Sequence, residues 1–263
     1  MNYEKSTGFL YNTFWGGVLR LVLKQPIVNK CYGALQRTSG SRRKIPKLIE
    51  QYQIDTSEFV ARDFESFNDF IIREIKPEAR PIGIGLIAPA DSHVLAIEAK
   101  GDTLLSIKGR DYTISKLIGE KDHDYALCLI FRLAVYDYHH FCFPDRGELL
   151  AHKKISGVLD SVNMAATGSF VLTSNVREVS ILKTEGFGKM AFVEVGAMLV
   201  GRIVNTCNEK YFAKGDKKGY FEFGASTIVM LLEKDAVNLR SDILENSHRG
   251  IETRVKAGES LSC

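Results

Sequence analysis

The sequence predicts an α+β protein in which an N-terminal helical, membrane-associating element precedes a strand-rich core. Two observations support this class. Residues 1–80 show helical spacing of apolar side chains, whereas residues 86–234 contain short β-branched and aromatic runs separated by glycine-containing turns. The stretch EARPIGIG at 78–85 contains the proline and glycines typical of a boundary. We therefore predict a helical region over 1–80 and a β-rich catalytic core over 81–263.

The composition is that of a folded globular protein. Of the 263 residues, 45% are hydrophobic and 25% are charged, which argues against wholesale disorder. The sequence has no CxxC motif and no Cys/His cluster, so we expect neither a structural zinc site nor a disulfide framework. The five cysteines are scattered, which fits a reducing, cytosol-facing environment: Cys31, Cys128, Cys142, Cys207 and Cys263.

The first predicted helix lies in FLYNTFWGGVLRLVLKQPIV, residues 9–28. Polar residues and glycines interrupt this stretch before it reaches the ~20 apolar residues of a membrane span, and no signal-peptide cleavage site follows it. Its apolar side chains recur at helical spacing: Phe9, Leu10, Phe14, Val18, Leu21 and Val22. Such a stripe packs either on the protein's own core or on a membrane surface, and periodicity alone favours the core.

Charge is distributed unevenly between this region and the rest of the chain. Residues 1–50 hold nine Lys and Arg against two Glu, a net charge of +7, which leaves about −4 for the other 213 residues. A basic region on a near-neutral body predicts an anionic partner, either lipid headgroups or nucleic acid. Because aromatic and basic residues are not interleaved, we expect no nucleic-acid partner, and the basic flank favours the membrane surface for the first helix.

Further helices follow before the predicted boundary. KIPKLIEQYQI at 44–54 has helical spacing, and Ser66 is a candidate N-cap for FNDFIIREIK at 67–76. The polar stretch at 37–44 predicts a loop. A short helix is expected within YTISKLIGE at 112–120.

The core consists of short strand candidates. An aromatic strand-like run, KKGYFEF at 217–223, leads through Gly224, Ala225 and Ser226 into a last apolar run. The tail after Asp235 is polar and charged, and we expect its end to be poorly ordered. The other predicted strands lie at 93–99, 103–109, 126–134, 147–155, 178–184, 190–204 and 227–234.

Three clusters contain residue types that carry chemistry. Asp91 follows a proline-containing turn, His139, His140 and Cys142 follow a strand, and Ser226 interrupts a strand-like run. Each has a structural interpretation, as a turn, a core histidine or a bulge. Together they allow a charge relay in which Asp orients His and His activates Ser. The G-x-S-x-G elbow of an α/β-hydrolase is absent, since Thr227 follows Ser226.

Five ordered motifs over most of the chain resemble the phosphatidylserine decarboxylases. They are SFNDFIIREIKPEARPI, APADSHV, RLAVYDYHHFCFPDRGEL with SGVLDSVN, VEVGAMLVGRI, and KGYFEFGASTIVMLLEKD. The resemblance implies a proenzyme that cuts itself between Ala225 and Ser226 into a β chain, 1–225, and an α chain, 226–263, which stay associated. Ser226 would become a pyruvoyl group, and no separate cofactor or metal would be needed. That group would bind the amine of phosphatidylserine as a Schiff base, and loss of CO₂ would give phosphatidylethanolamine.

The resemblance also implies residue roles. Asp91 and a histidine of DYHHFC would be the acid/base partners of self-cleavage, and His139 would transfer protons in decarboxylation. The family often has a second histidine three residues later, where this chain has Cys142. His139 could therefore perform both tasks, His140 could take one, or Cys142 could act as a thiolate with a lowered pKa; we favour His139. Position 225, usually Gly in the family, is Ala here, which could slow the cleavage-prone turn.

The sequence leaves other functions open. The chain could be an uncleaved, non-catalytic relative at the membrane surface, a serine hydrolase acting on lipid, or a decarboxylase of a related aminophospholipid. Its oligomeric state is not readable, and a homo-oligomer is compatible with the sequence. For the decarboxylase we expect a peripheral location on the cytoplasmic face of the cell membrane, where phosphatidylserine is presented.

Overall fold

The structure is a computed structural model that describes residues 13, 15, 25–107, 110–158, 171–197, 202–207, 209–222 and 226–263. Most of the predicted first helix lies outside these residues. In the described part, none of the helices is long and apolar enough to span a bilayer. The helices are α1 (Pro26–Gln36), α2 (Ile45–Tyr52), α3 (Phe67–Ile71), α4 (Ile114–Ile118) and α5 (Ser241–His248). Short 3₁₀ helices lie at Ser39–Lys44, Thr56–Glu58, Pro77–Ala79 and Val171–Thr173.

Helix α3 begins as predicted and ends earlier than predicted. The Ser66 side chain caps it by accepting a hydrogen bond from the Asp69 amide. The helix stops at Ile71 rather than near residue 76, because residues 74–76 are extended and pair with residues 58–60 through main-chain hydrogen bonds. These contacts fold the segment before the core into a small cluster of its own: Ile45, Phe59, Phe67, Phe70 and Ile71.

The strands form a large and a small antiparallel sheet and a separate hairpin. The strands are β1 (Ser92–Glu98), β2 (Thr103–Ile107), β3 (Arg110–Thr113), β4 (Tyr125–Leu133), β5 (His140–Cys142), β6 (Gly147–Ile155), β7 (Arg177–Thr184), β8 (Gly188–Val195), β9 (Arg202–Asn205), β10 (Tyr211–Phe212), β11 (Lys217–Glu222), β12 (Ser226–Glu233) and β13 (Thr253–Val255). Within the described residues, the large sheet has the order β10-β6-β7-β8-β12-β4-β1-β13, the small sheet has the order β5-β11-β9, and β2 pairs with β3.

Both faces of the large sheet are buried around β12. Ile228, Met230 and Leu232 lie in one apolar cluster, and Val229 and Leu231 lie in another. Alternation along a strand sends successive side chains to opposite faces, which explains the unbroken apolar run. The first cluster also contains Phe141 and Phe221 of the small sheet, so this face of β12 packs against the small sheet.

Two predictions for the core are wrong. The run predicted as one strand over 190–204 is two strands, because β8 belongs to the large sheet whereas β9 pairs with β11 in the small sheet. The tail after Asp235 is ordered rather than loose. It forms α5 and β13, and its apolar side chains are buried against the large sheet: Leu239, Ile243, Val255 and Leu261. The division of the chain at residue 80 stays a prediction.

Candidate active site

The candidate residues lie at one end of the large sheet. β1 begins at Ser92, β4 ends at Leu133, and β12 begins at Ser226, which is paired with Leu133. The register of β1 on β4 puts the start of β1 beside the end of β4. Asp91 therefore precedes β1 at the same end of the sheet as Ser226, with β4 between them.

Ser226 is the first residue of β12, and it is completely buried. Its hydroxyl has no hydrogen-bond partner among the residues that the structure describes. A buried polar group without a partner costs about 1–3 kcal/mol, so each one calls for a structural or functional reason. Alternation puts Ser226 on the face of Ile228, toward the small sheet. Ala225, the other residue of the predicted cleavage site, lies outside the described residues.

His139 is buried between β4 and β5, and two hydrogen bonds fix it. Its ring Nδ1 lies 2.9 Å from the carbonyl oxygen of Asp137. A carbonyl can only accept, so Nδ1 carries the proton and Nε2 of the neutral ring has the lone pair that a general base needs. The main-chain carbonyl of His139 accepts from the Phe221 amide at 3.0 Å. His139 is thus tied to β11, the strand that precedes Ser226.

The two alternative bases are held elsewhere. The His140 ring, whose pKa is lowered by burial, contacts the Ile72 carbonyl oxygen through Nε2 at 3.0 Å and stacks on Tyr138. Burial raises the pKa of the Cys142 thiol to about 12. A thiolate at Cys142 would require a lowered pKa, and burial acts in the opposite direction. The role of Cys142 stays a prediction that its surroundings disfavour.

Asp91 is a carboxylate held from two sides. Arg80 donates to it through Nε at 2.7 Å and through a terminal nitrogen at 2.5 Å, and the Ala257 amide donates at 2.9 Å. Arg80 also pairs with Glu58 at 2.9 Å. Burial acts against the charge of the guanidinium, but the two carboxylates together outweigh it and raise the pKa of Arg80. Through these contacts Asp91 connects Arg80, in the segment before the core, to Ala257, near residue 263.

Asp137 is a second buried carboxylate at this end of the sheet. Burial raises its pKa to about 7, and the nearby Asp91 contributes in the same direction. One carboxylate oxygen accepts from the Ala134 amide at 2.7 Å. The Asp137 main-chain carbonyl accepts from both His139 and Arg73. Arg73 is itself buried, which lowers its pKa to about 10.

A cavity of about 430 Å³ reaches both of these carboxylates. Among the described residues, Ser226 and His139 lie outside its wall. Its lining is polar, aromatic and of both charge signs, with Arg73, Arg80, Asp91, Tyr136, Asp137, Tyr138, Arg254 and Lys256 among the lining residues. Such a lining suits a small polar group that carries charge.

The structure adds residues that the sequence reasoning did not select. Arg73 and Arg80 organise the acidic side of the site, and Glu194 and Lys218 form a buried ion pair between the two sheets. No spacing in the sequence pairs these residues, because each contact depends on the folded register. In the described part of the chain, no group of three His, Cys, Asp or Glu side chains could hold a metal ion.

Three residue types that together allow chemistry through a serine lie at this end of the sheet. The serine is buried at the start of a central strand, a buried histidine is bonded to the strand before it, and an aspartate is fixed at the same sheet end. A model of the family "Phosphatidylserine decarboxylase" matches residues 67–263. The chain belongs to this family.

Individual relatives extend the match over nearly the whole chain. Phosphatidylserine decarboxylase proenzyme 2 of Clostridium acetobutylicum is 41% identical over 262 residues, covering 96% of this chain and 90% of the relative. The proenzyme of Chlamydia caviae is 39% identical, covering 98% and 91%. That of Clostridium perfringens is 40% identical, covering 92% and 87%.

Proposed function

We propose that this chain is a phosphatidylserine decarboxylase, a carboxy-lyase made as a proenzyme, which converts phosphatidylserine into phosphatidylethanolamine and CO₂. One observation of the structure carries the proposal. The Ser226 hydroxyl, at the first residue of β12, is buried and has no hydrogen-bond partner among the described residues. The relatives are named proenzymes, which agrees with a chain that is processed before it acts.

Self-cleavage between Ala225 and Ser226 is a serinolysis. The Ser226 oxygen attacks the Ala225 carbonyl carbon, His139 accepts the hydroxyl proton, and the C–N bond breaks to give an ester and a free amine. Removal of the Ser226 Cα proton then breaks the Cβ–O bond and releases the β chain as a carboxylate. Hydrolysis of the remaining dehydroalanine releases ammonia and leaves a pyruvoyl group on the α chain.

The surroundings of Ser226 fit a pyruvoyl group at this position. Such a group has no charge, and the face of β12 to which Ser226 belongs is apolar. The hydrogen bonds of β12 to β4 and β8 would hold the new terminus in place. The group supplies a carbonyl that binds the amine of the substrate and accepts electrons as CO₂ leaves.

Chain residues supply the rest of the chemistry. The Asp137 carbonyl accepts a hydrogen bond from Nδ1–H of His139, which keeps that proton on Nδ1. Nε2 of the same ring receives or returns the proton of the reaction. Asp91 is the second predicted acid/base partner of self-cleavage, and Arg80 fixes its carboxylate. The polar cavity beside Asp91 and Asp137 suits the charged headgroup of the lipid.

The experiment is an intact-mass measurement of the purified protein under denaturing conditions, beside a Ser226→Ala chain. We expect two fragments that divide at Ala225/Ser226, a pyruvoyl group on the smaller one, and an intact control. Cut protein is then mixed with phosphatidylserine vesicles and with vesicles of other aminophospholipids, and CO₂ is measured. A single full-length species that releases no CO₂ contradicts the proposal and favours a non-catalytic surface protein.

We also propose that the enzyme is peripheral on the cytoplasmic face of the membrane. Support comes from α1, where Ile27 is 70% exposed and Leu35 is 61% exposed, with Cys31 exposed between them at helical spacing. Exposed basic side chains lie on the same part of the chain: Lys30, Arg37, Arg42, Arg43 and Lys47. Apolar side chains beside cations are what an anionic lipid surface attracts.

Sedimentation with vesicles tests this location. The Ile27→Glu/Leu35→Glu chain is expected to bind anionic vesicles more weakly than the unchanged chain, with the same melting temperature. Ile251→Glu, at a half-exposed apolar residue near the end of the chain, is the matched control. Equal binding of all three chains would contradict a role for α1.

A further inference from the structure

A buried ion pair joins the large and small sheets close to the cleavage site. Lys218 of β11 contacts Glu194 of β8 through a very short salt bridge, and both side chains are buried, at 4% and 0% exposure. The Lys218 ammonium also donates to the Asn205 side chain at 2.7 Å. Phenylalanine rings surround it, with centroids 5.2–5.9 Å away: Phe141, Phe143 and Phe192.

Stability alone does not account for such a pair. Burying two charges carries a large desolvation penalty, and well-packed apolar residues at the same positions are often equally stable or more so. One Glu194 carboxylate oxygen, Oε2, has no hydrogen-bond partner among the described residues. Burial raises the pKa of Glu194, as expected for a carboxylate in apolar surroundings. A costly pair that is incompletely satisfied indicates a functional requirement.

Lys218 lies in the strand that precedes the scissile bond, and Glu194 lies in the sheet that contains Ser226. Glu194 is paired with Ile228, so Ser226 is its diagonal neighbour on the same face of the sheet. Diagonal neighbours are ~7–8 Å apart, within reach of a long side chain. Lys218 lies in β11 of the small sheet, which ends at Glu222, and β12 of the large sheet begins at Ser226. The pair therefore connects the strand before the cut to the sheet that holds the serine after it.

We propose that Glu194 and Lys218 are a positioning pair for self-cleavage. By holding β11 against β8, the pair fixes where the chain leaves the small sheet and enters the large sheet, and thereby the approach of the Ser226 oxygen to the Ala225 carbonyl. In this proposal the pair acts through this geometry and has no part in the proton transfers. The inference rests on the proposed function, because it concerns the same cut.

The test separates positioning from stability. In Glu194→Met/Lys218→Met, two apolar side chains of similar length replace the ions, and the surrounding rings can pack against them. We expect the melting temperature to stay or rise, while the rate of self-cleavage falls at least tenfold. The rate is followed by cell-free synthesis of labelled protein and denaturing gels, well below the melting temperatures of both chains.

Two further chains keep the test decisive. Glu120→Met/Lys153→Met removes a pair between β6 and the segment after α4, three strands from β12, and should cleave at the unchanged rate. Glu194→Gln keeps the shape of the side chain without its charge, and decides the matter if the double variant fails to fold. If Glu194→Gln or the double methionine variant folds and cleaves as fast as the unchanged chain, the positioning role is overturned. Failure of the unchanged chain to cleave would instead overturn the proposed function.

Discussion

Three candidate bases lie within four residues of one another, and their contacts distinguish them. His139 is bonded to its own loop and to β11, which leads to Ser226. The His140 ring contacts Ile72, Tyr138 and also Tyr220 of β11, and alternation along β5 puts it on the face opposite Phe141, which packs with β12. The Cys142 thiol, with its raised pKa, stays protonated at neutral pH. Their neighbours in the fold, rather than the residue types, decide between them.

Single substitutions in this loop should therefore differ sharply. We expect His139→Gln to slow self-cleavage by about 100-fold or more, since a general base accelerates a reaction by a factor of ~10²–10⁴. Cys142→Ala should leave the rate nearly unchanged, because a protonated thiol cannot accept the serine proton. Fragment appearance in cell-free synthesis measures both rates, with His140→Gln as the control for loss of a neighbouring ring. Fast cleavage by His139→Gln together with an uncut Cys142→Ala chain would reverse the assignment.

Asp137 should make stability depend on pH. Its pKa is about 7 in the folded chain and about 3.9 when unfolded. The folded state therefore binds this proton more tightly, so the stabilisation is fully present below pH ~4 and is lost as the pH rises to ~7. Asparagine does not titrate, so the Asp137→Asn chain does not lose this stabilisation. Relative to the unchanged chain, its free energy of unfolding should rise by up to about 4 kcal/mol across that pH range. Urea unfolding between these pH values, with both chains carrying Ser226→Ala, measures the difference.

A constant difference in the free energy of unfolding between these two chains over that pH range would show that Asp137 is ionised in the folded protein. The comparison uses a difference because other groups titrate in the same range and contribute equally to both chains. Asparagine can still accept the hydrogen bond from the Ala134 amide, so the substitution changes the proton and little else.

At the residue scale, the sequence predicts the side chains that could carry chemistry but not the residues that hold them in place. Asp91, His139 and Ser226 were recognisable because each lies in a motif or interrupts a pattern, and the roles given to them stay predictions. Arg80 also lies in one of these motifs, but its role was not recognisable, because its contact with Asp91 depends on how the segment before the core folds back. Lys218 was hidden in the same way, as a lysine in a strand is ordinarily at the surface.

At the scale of elements, one arginine ties the helical segment to the sheet. Arg80 is 11% exposed, and it pairs with Asp91 just before β1 and with Glu58 at the end of a 3₁₀ helix. We expect Arg80→Ala to lower the free energy of unfolding by about 3–5 kcal/mol, because both carboxylates lose their buried partner. Urea unfolding in the Ser226→Ala chain measures the loss without interference from cleavage.

The same contacts provide a matched control for Arg80. Lys256 also pairs with Glu58, at 2.9 Å, but its side chain is 54% exposed. Lys256→Ala should cost no more than about 1 kcal/mol, as solvent screens an exposed pair. Similar losses for the two variants would mean that Arg80 is only a surface partner of these carboxylates.

The sequence predicts the long strands better than the short ones. β6 has the predicted bounds, and β12 differs by one residue at each end, because a long strand has a full β pattern or a continuous apolar run. β5 and β13 have three residues each, too few for alternation to be visible. The tail was misjudged because its few apolar residues are far apart in sequence and only the fold collects them on the large sheet.

At the scale of the whole molecule, the predicted α chain, 226–263, is built into the centre of the fold. Its first strand, β12, lies between β4 and β8, and β13 pairs with β1 at the edge of the large sheet. The Leu261 amide donates to the Leu86 carbonyl, and the Ala257 amide donates to Asp91. Cutting before Ser226 removes one peptide bond and leaves these contacts in place.

Two chains that share one core should stay together until they unfold together. We expect the cut protein to run as one species in size exclusion without denaturant, and to separate into its fragments only in denaturant. Because unfolding of the cut protein releases two chains, its melting temperature should rise with protein concentration. That of the uncut Ser226→Ala chain, which unfolds as one, should depend on concentration less. Calorimetry over a wide concentration range measures both, and equal concentration dependence, or separation of the fragments in native buffer, would contradict a core shared in this way.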